Sequence, residues 1–402
     1  MNSQVRLRLS IMMFLEYFIW GAWYVTLGTW LAALHFNGSE IGVAAGATSI
    51  GAIVAPFFVG LVADRFFATQ KILAVLHLLG GCLLLATAQQ KGFVSLYVLV
   101  LLYCLCYMPT LALTNSLALR QMTDTKQEFG VVRVLGSGGW IVAGLLIGFL
   151  RKEATEVPME IAGVASLVMG LYSLTLPHTP PLGRDDRGAA GIFPREVLAL
   201  LKERSTLIFV IASVLICIPL QFYYAFTNLF LNQVGVVNAA GKMTGGQISE
   251  LVCMVSIPWF FRRLGVKYML VAGMAAWVLR YLFFAYGDAS AGMWMLWGGI
   301  VTHGICYDFF FVTGQIYIDE KVNANLRAAA QGLITFLTYG VGMFIGAWLS
   351  GRVVDHYTLP VAAGEITYNW RSIWIFAAAL AGVVLVLFLA TFSEKSESKQ
   401  AD

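Results

Sequence analysis

Apolar stretches long enough to cross a ~30 Å hydrocarbon core, about 20 residues each, recur from one end of this chain to the other. Twelve are expected, over residues 9–34, 40–63, 72–88, 93–118, 129–150, 161–176, 207–231, 243–261, 268–286, 293–318, 326–349 and 373–392. Within a bilayer every backbone N–H and C=O must be satisfied by the protein itself, so such stretches become helices. At ~20 residues each they take up roughly 240 positions, which leaves no room for a sizeable water-soluble domain. Only 12% of the 402 residues are charged, about half the share usual in soluble proteins. The chain is therefore expected to be an all-α membrane protein, and soluble-enzyme and nucleic-acid-binding readings are excluded. The run from Leu9 to Leu34, behind Arg6 and Arg8, is too long for a signal-peptide core and lacks a small-residue cleavage site, so it is read as the first span.

An even number of spans puts both termini on one side. With the termini and alternate loops taken as cytoplasmic, 18 of the 26 Lys and Arg residues fall inside and six outside, while Arg133 and Arg280 lie within spans. The positive-inside rule then places both termini in the cytoplasm. The longest loop opens with PHTPPLGRDDRG and continues as FPREVLALLKER, where Val197, Leu198, Leu200 and Leu201 are surrounded by charges. That pattern predicts a flexible link followed by a short amphipathic helix on the membrane surface. The expected organisation is an N-terminal six-helix half (1–176), this cytoplasmic linker (177–205), a C-terminal six-helix half (206–392) and a cytoplasmic tail (393–402). Pro56 before GLVADRFFATQK and Pro258 before FFRRLGVK lie about half the chain apart, as do Tyr107 and Tyr307. Both echoes fall between topologically equivalent spans and suggest a duplicated transporter, whose substrate site lies between the halves near the midplane.

An ionisable side chain at the centre of a span costs ~2.5–3.5 kcal/mol and normally faces the bundle interior. The fifth span carries Arg133, Ser137 and Trp140 at i, i+4, i+7, which places a cation, a hydroxyl and an aromatic plate on one face. The glycines between them let another backbone approach. Gln247 and Glu250 form an i, i+3 pair in the eighth span, and Gln221, Tyr224 and Asn228 share a face of the seventh. The tenth carries His303, Tyr307 and Asp308. A carboxylate deep in an apolar run with no local base has the surroundings a proton carrier needs. Glu16, alone among aromatics in the first span, is a second such carrier or a pin to a neighbouring helix. His77, His178 and Arg280 are read as structural. The six cysteines all lie in spans and form no CxxC pair, so neither a disulfide framework nor a metal site is expected. No GxxxxGK[ST] or HExxH occurs, which argues against an ATP-driven pump and a zinc enzyme.

The loop GLVADRFF resembles the G-x-x-x-D-R signature of the major facilitator superfamily, with Gly60, Asp64 and Arg65 as the matching residues. A narrower resemblance runs through nearly the whole chain. FIWGAWYVTLGTWL, YMPTLALTNSLAL, LTLPHTP, QISE, VLRYLFFAYGD and LRAAAQGL, in this order, are similar to the bacterial nucleoside:proton symporter family. The resemblance implies the major facilitator fold, with Gly60, Asp64 and Arg65 as a conformational latch. It implies a nucleoside pocket of Arg133, Ser137, Trp140, Gln221, Tyr224, Gln247, Glu250, His303 and Tyr307. Of these, Ser137 stands where the family has threonine, Trp140 where it has phenylalanine, and Tyr224 where it has asparagine. His303 replaces a tyrosine and Tyr307 a phenylalanine, while the proton-linked aspartate is retained as Asp308. Proton coupling is accordingly expected at Asp308, Glu250 and Glu16.

The function so implied is proton-coupled nucleoside import across the bacterial inner membrane by alternating access. The partners expected are a nucleoside, protons and membrane lipid, with no cofactor, no metal and no nucleic acid, and the protein is expected to be a monomer and not an enzyme. Two alternatives stay open from the residues: a proton-antiport exporter of metabolites or drugs, and a membrane sensor that binds ligand without flux.

Overall fold

The computed structural model describes residues 1–59, 66–181, 193–323, 326–360 and 366–393. The latch residues Gly60, Asp64 and Arg65, the tail and the stretch 182–192 of the linker lie outside the described residues. The architecture is helical throughout: α1 Ser3–Ala33, α2 Gly38–Phe58, α3 Thr69–Ala88, α4 Phe93–Arg120, α5 Thr125–Leu150, α6 Val157–Ser173, α7 Arg204–Gln233, α8 Ala239–Tyr286, α9 Met293–Glu320, α10 Ala329–His356 and α11 Trp370–Thr391. Among the described residues ten of these are long and apolar enough to cross a membrane, and α6 is a shorter apolar helix. In the linker a short helix, Arg195–Ala199, passes into a 3-10 turn, Leu200–Lys202. Val197 is buried there while Leu198 is exposed.

Local chemistry sets the helix ends. Asn37 and Glu40 form a reciprocal capping box at the start of α2, and Asn2 and Asn369 accept from the first turns of α1 and α11. The 48-residue α8 is interrupted at Gly265, whose φ of 67° suits a residue without a Cβ. Its first arm runs alongside α9, with Gly245 against Trp297, Gly246 against His303 and Ser249 against Gly304. The second arm runs the opposite way, with Gly273 against Phe310 and Gly299 of α9 against Phe284. The chain thus reverses at one glycine where the sequence predicts a loop between two spans.

Residues 1–173 pack α1 on α5 and α6, α3 on α4 and α6, and α2 on α4. Residues 204–391 pack α7 on α10 and α11, and α8 on α9 and α11. The two groups meet where α2 lies on α10, α5 on α8, and the end of α1 on α7. Away from the termini they are tied by hydrogen bonds. Thr29 donates to Asn228 Oδ1 at 2.5 Å, and Glu153 accepts from Asn228 (2.8 Å), Asn232 (2.8 Å) and the backbone N–H of Ala240 (3.0 Å). Asp355 of α10 accepts from the N–H groups of Gly38 (2.6 Å) and Ser39 (2.9 Å) at the start of α2, where the helix dipole favours an anion. At the opposite end, within the second group alone, Lys321 after α9 donates to Glu203 at the start of α7. Partial burial of Glu203 opposes its ionisation, but hydrogen bonds from Lys321, Ser205 and Thr206 outweigh it and hold the carboxyl below its usual range.

The glycines of α5 are not equivalent. A Cβ on Gly139 would meet the backbone of α1 at Phe14 and Phe18, whereas one on Gly138 would meet nothing within 4 Å. Gly139→Ala should therefore force α1 and α5 apart and destabilise the protein by about 1–3 kcal/mol, as overpacking does. Gly138→Ala should be neutral or slightly stabilising. Thermal unfolding in detergent compares the two, and equal midpoints would refute the close approach.

Candidate functional site

The expected substrate-binding residues converge between the two groups of helices, on α5, α7, α8 and α9, and rings of α1 and α10 join them. Arg133 of α5 stacks its guanidinium over Tyr17 of α1, 4.1 Å from the ring centroid. That contact is open because Gly136, one turn nearer the site, leaves room for both side chains. Further along the same face Trp140 meets Trp20 edge to face at 5.5 Å, with Gly21 of α1 in direct contact with the indole. Ser137 lies between them, half-buried.

Aromatic rings carry the site from one group of helices to the other. Trp20 lies 5.7 Å from Tyr24, and Tyr24 lies 5.4 Å from Tyr224 of α7. Tyr224 touches Tyr223 at 5.5 Å, Tyr223 stacks on His303 at 5.3 Å, and His303 stacks on Tyr307 at 5.8 Å. Tyr307 in turn hydrogen-bonds Tyr339 of α10. Gln221 crosses the same boundary, since Tyr24 Oη donates to its Oε1 at 3.4 Å while its amide nitrogen is buried without a partner.

On α8 the half-buried Gln247 and Glu250 share one face, and neither makes a hydrogen bond within the described residues. The intervening Ser249 anchors that face. It donates to Val301 O (2.5 Å) and accepts from Gly304 N (2.9 Å), satisfying backbone groups freed where α9 is broken at Thr302. The anchor sets Glu250 Oε2 3.9 Å from His303 Nε2.

Asp308 begins a π-helical turn, Asp308–Val312. It is fully buried, and neither carboxylate oxygen has a hydrogen-bond partner. A buried unpaired carboxylate is costly, and single π-turns concentrate at functional sites. No ion pair joins it to Arg133 among the described residues. Glu16 is also fully buried but well partnered. It meets His77 Nε2 at 3.0 Å and accepts from Thr110 Oγ1 at 2.6 Å, while Ser166 bonds the far side of the histidine. Asn228 is absorbed in the Thr29–Glu153 contact rather than facing the rings.

Sequence reasoning missed Tyr17, Trp20 and Tyr24, the stripe that lines the α1 side. Their i, i+3, i+7 spacing was the available signal. It also missed Tyr223, Tyr339 and the setting of Arg280, which no periodicity within one helix reveals. What the site offers is a ring-rich junction around which one cation, two carboxylates, two amides and a hydroxyl are gathered. Flat apolar surface plus a few convergent polar groups suits a neutral, partly aromatic polar molecule.

Comparison with known proteins agrees with this chemistry. A family profile described as nucleoside H+ symporter matches residues 1–397. YegT of Escherichia coli (strain K12) is 41% identical over 399 residues, which cover 96% of this chain and 93% of that protein. The nucleoside permease NupG of the same organism is 30% identical over 408 residues, covering 97% of this chain and 96% of NupG. The crystal structure of the nucleoside transporter NupG superposes with a TM-score of 0.87 at 30% identity, over 98% of this chain and 100% of that one.

The contrast between the two buried carboxylates is measurable. Glu16→Ala leaves His77 and Thr110 without their acceptor, at about 1–3 kcal/mol for each buried group, and should lower the unfolding midpoint in detergent. Asp308→Asn alters a carboxyl that has no hydrogen-bond partner to lose and should leave the midpoint unchanged or raised. A drop for Asp308→Asn with none for Glu16→Ala would reverse the two roles.

Proposed function

We infer that this chain, which belongs to the nucleoside H+ symporter family, imports nucleosides with protons by alternating access through twelve membrane crossings. The observation that carries the reading is the family match over residues 1–397, together with a polar, ring-lined site at the junction of two helix groups. The protein is a multi-pass inner-membrane transporter and not an enzyme. Twelve crossings follow if the two arms of α8, 239–264 and 266–286, each span once and α6 spans despite its length. The Lys and Arg bias supports cytoplasmic termini, and a single chain holding both helix groups supports a monomeric unit. The latch reading of Gly60, Asp64 and Arg65 rests on the sequence resemblance.

With the termini in the cytoplasm, the ties at Thr29, Glu153 and Asp355 close the periplasmic end. Every hydrogen bond between the two groups among the described residues lies at Tyr24 or beyond it toward that end. The conformation is then one that faces inward. Trp140, Tyr224 and Tyr307 enclose the base and sugar rings. Arg133, Ser137, Gln221, Gln247 and Glu250 hold hydroxyls and base edges, and His303 stands behind Glu250. Asp308, buried and unpartnered, is the principal proton carrier, Glu250 links proton to substrate, and the pinned Glu16 is the least free of the three. Inward proton movement supplies ~2.3 kcal/mol per 100 mV of potential.

Glu250→Gln and Arg133→Ala should each abolish the thermal shift that a nucleoside produces on the purified protein. An undiminished shift in both would remove the pocket assignment.

Asp308→Asn, fixed in the neutral state, should lose concentrative uptake driven by a pH gradient in reconstituted vesicles. It should still bind nucleoside and exchange labelled for unlabelled substrate. Uptake at the unmutated rate would move proton coupling to Glu250 or Glu16, and binding without any flux in the unmutated protein would overturn transport itself.

A further inference from the structure

Arg280, on the second arm of α8, is fully buried and has no carboxylate partner among the described residues. A guanidinium in such a place is expensive unless other groups take up its donors. Its Nε and Nη2 have no hydrogen-bond partner. Among the described residues it has the ring faces of Tyr223 (3.4 Å from the centroid), Trp277 (5.4 Å) and Phe284 (5.8 Å), and one hydrogen-bond acceptor, His303 Nδ1, 2.9 Å from Nη1.

That one hydrogen bond decides the state of the imidazole. A guanidinium only donates and does not deprotonate in proteins, so Nδ1 of His303 must accept. An imidazole that accepts at Nδ1 carries its proton on Nε2. The ring plane is fixed independently, by stacking between Tyr223 at 24° and Tyr307 at 30°. With plane and tautomer both set, Nε2–H is held in one direction, and Glu250 Oε2 lies 3.9 Å from Nε2, ion-pair reach rather than a formed hydrogen bond. His303 is 1% exposed and the Glu250 side chain 20%, so the carboxylate is the more accessible of the two.

We propose that Arg280 is a positioning residue which locks His303 as the Nε2–H tautomer, so that His303 presents a fixed donor to the back of Glu250 and orients that carboxylate for the nucleoside. The proposal rests on the pocket reading given above for Glu250 and assigns His303 a role behind the substrate rather than against it. The pair works as a bracket. Arg280 supplies the direction, His303 transmits it, and Glu250 keeps its other oxygen for ligand hydroxyls or base N–H groups. Second partners that orient a ligand-holding group in this way are a general device of precise sites.

The experiment is nitrogen NMR on protein labelled at the histidine ring nitrogens, in lipid bilayers without nucleoside, alongside uridine and inosine binding by thermal shift. The chain has five histidines, so subtraction of the His303→Gln spectrum identifies the signal. In the unmutated protein Nδ1 should show the shift of an accepting, unprotonated nitrogen and Nε2 that of a protonated one. Arg280→Met should release the ring into mixed tautomers and weaken nucleoside affinity by about tenfold, the scale of one charged hydrogen bond. Arg280→Lys, which keeps a cationic donor, should restore much of both. A protonated Nδ1 in the unmutated protein overturns the proposal with no variant needed. An altered tautomer with unchanged affinity in Arg280→Met overturns the positioning role. The ring signal is read without ligand, so a failed lock is distinguishable from a failed pocket, which Glu250→Gln reports separately.

Discussion

An unpaired polar group costs more inside this protein than almost anything else it contains, and the structure divides its buried polar residues by whether that cost is met. Glu16, His77, Thr110 and Ser166 satisfy one another within the first group of helices. Thr29, Asn228, Asn232 and Glu153 do so across the two groups. These clusters behave as joints, fixing which helix lies against which in a solvent where apolar contact alone gives little preference. Asp308, the Gln221 amide nitrogen and the side chains of Gln247 and Glu250 have no such closure. Buried polar atoms without a partner also occur away from the site, at Ser49, Tyr103, Asn115 and Tyr368 among others. Closed hydrogen-bond clusters therefore mark the joints, whereas a missing partner does not by itself mark the site.

Much of this was legible in the sequence, because helices in a membrane announce themselves by length. The expected spans differ from the observed helices mainly at their ends. Span 161–176 became Val157–Ser173, and span 9–34 begins already at Ser3, since amphipathic end turns carry charges that an apolar window discards. The break at Gly265 was placed correctly but expected as a loop, and a glycine in left-handed backbone makes the loop unnecessary. The i, i+4, i+7 face of Arg133, Ser137 and Trp140 was readable because it lies on one helix. The sequence reading leaves Arg280 structural. Its partner, His303, is on another helix, and pairing of that kind has no signature in linear spacing. The same limit applies to Tyr107 and Tyr307. They match as internal echoes, yet Tyr107 donates to the backbone of Glu16 while Tyr307 pairs with Tyr339.

The helices that carry the site in the second group are also those least regular in their hydrogen bonding. α9 is broken at Thr302 and widens into a π-turn at Asp308–Val312, and α10 has its own π-turn at Phe336–Gly342. The two irregular stretches touch through Tyr307, Phe311 and Tyr339, and α7 carries Pro219 close to Gln221. A helix with a missing or stretched rung bends at that rung for less energy than a regular one. The compliant points therefore lie beside the residues that would sense substrate and proton. At the far end, Glu153 and Asp355 hold the two groups together through main-chain N–H donors and amides. Such contacts can be exchanged for water once that end opens, because the groups involved lie at helix termini rather than in the hydrocarbon. Coupling of binding to opening then requires only that a nucleoside or a proton change the balance at α9 and α10, where the second group bends, while the joints of the first group stay intact.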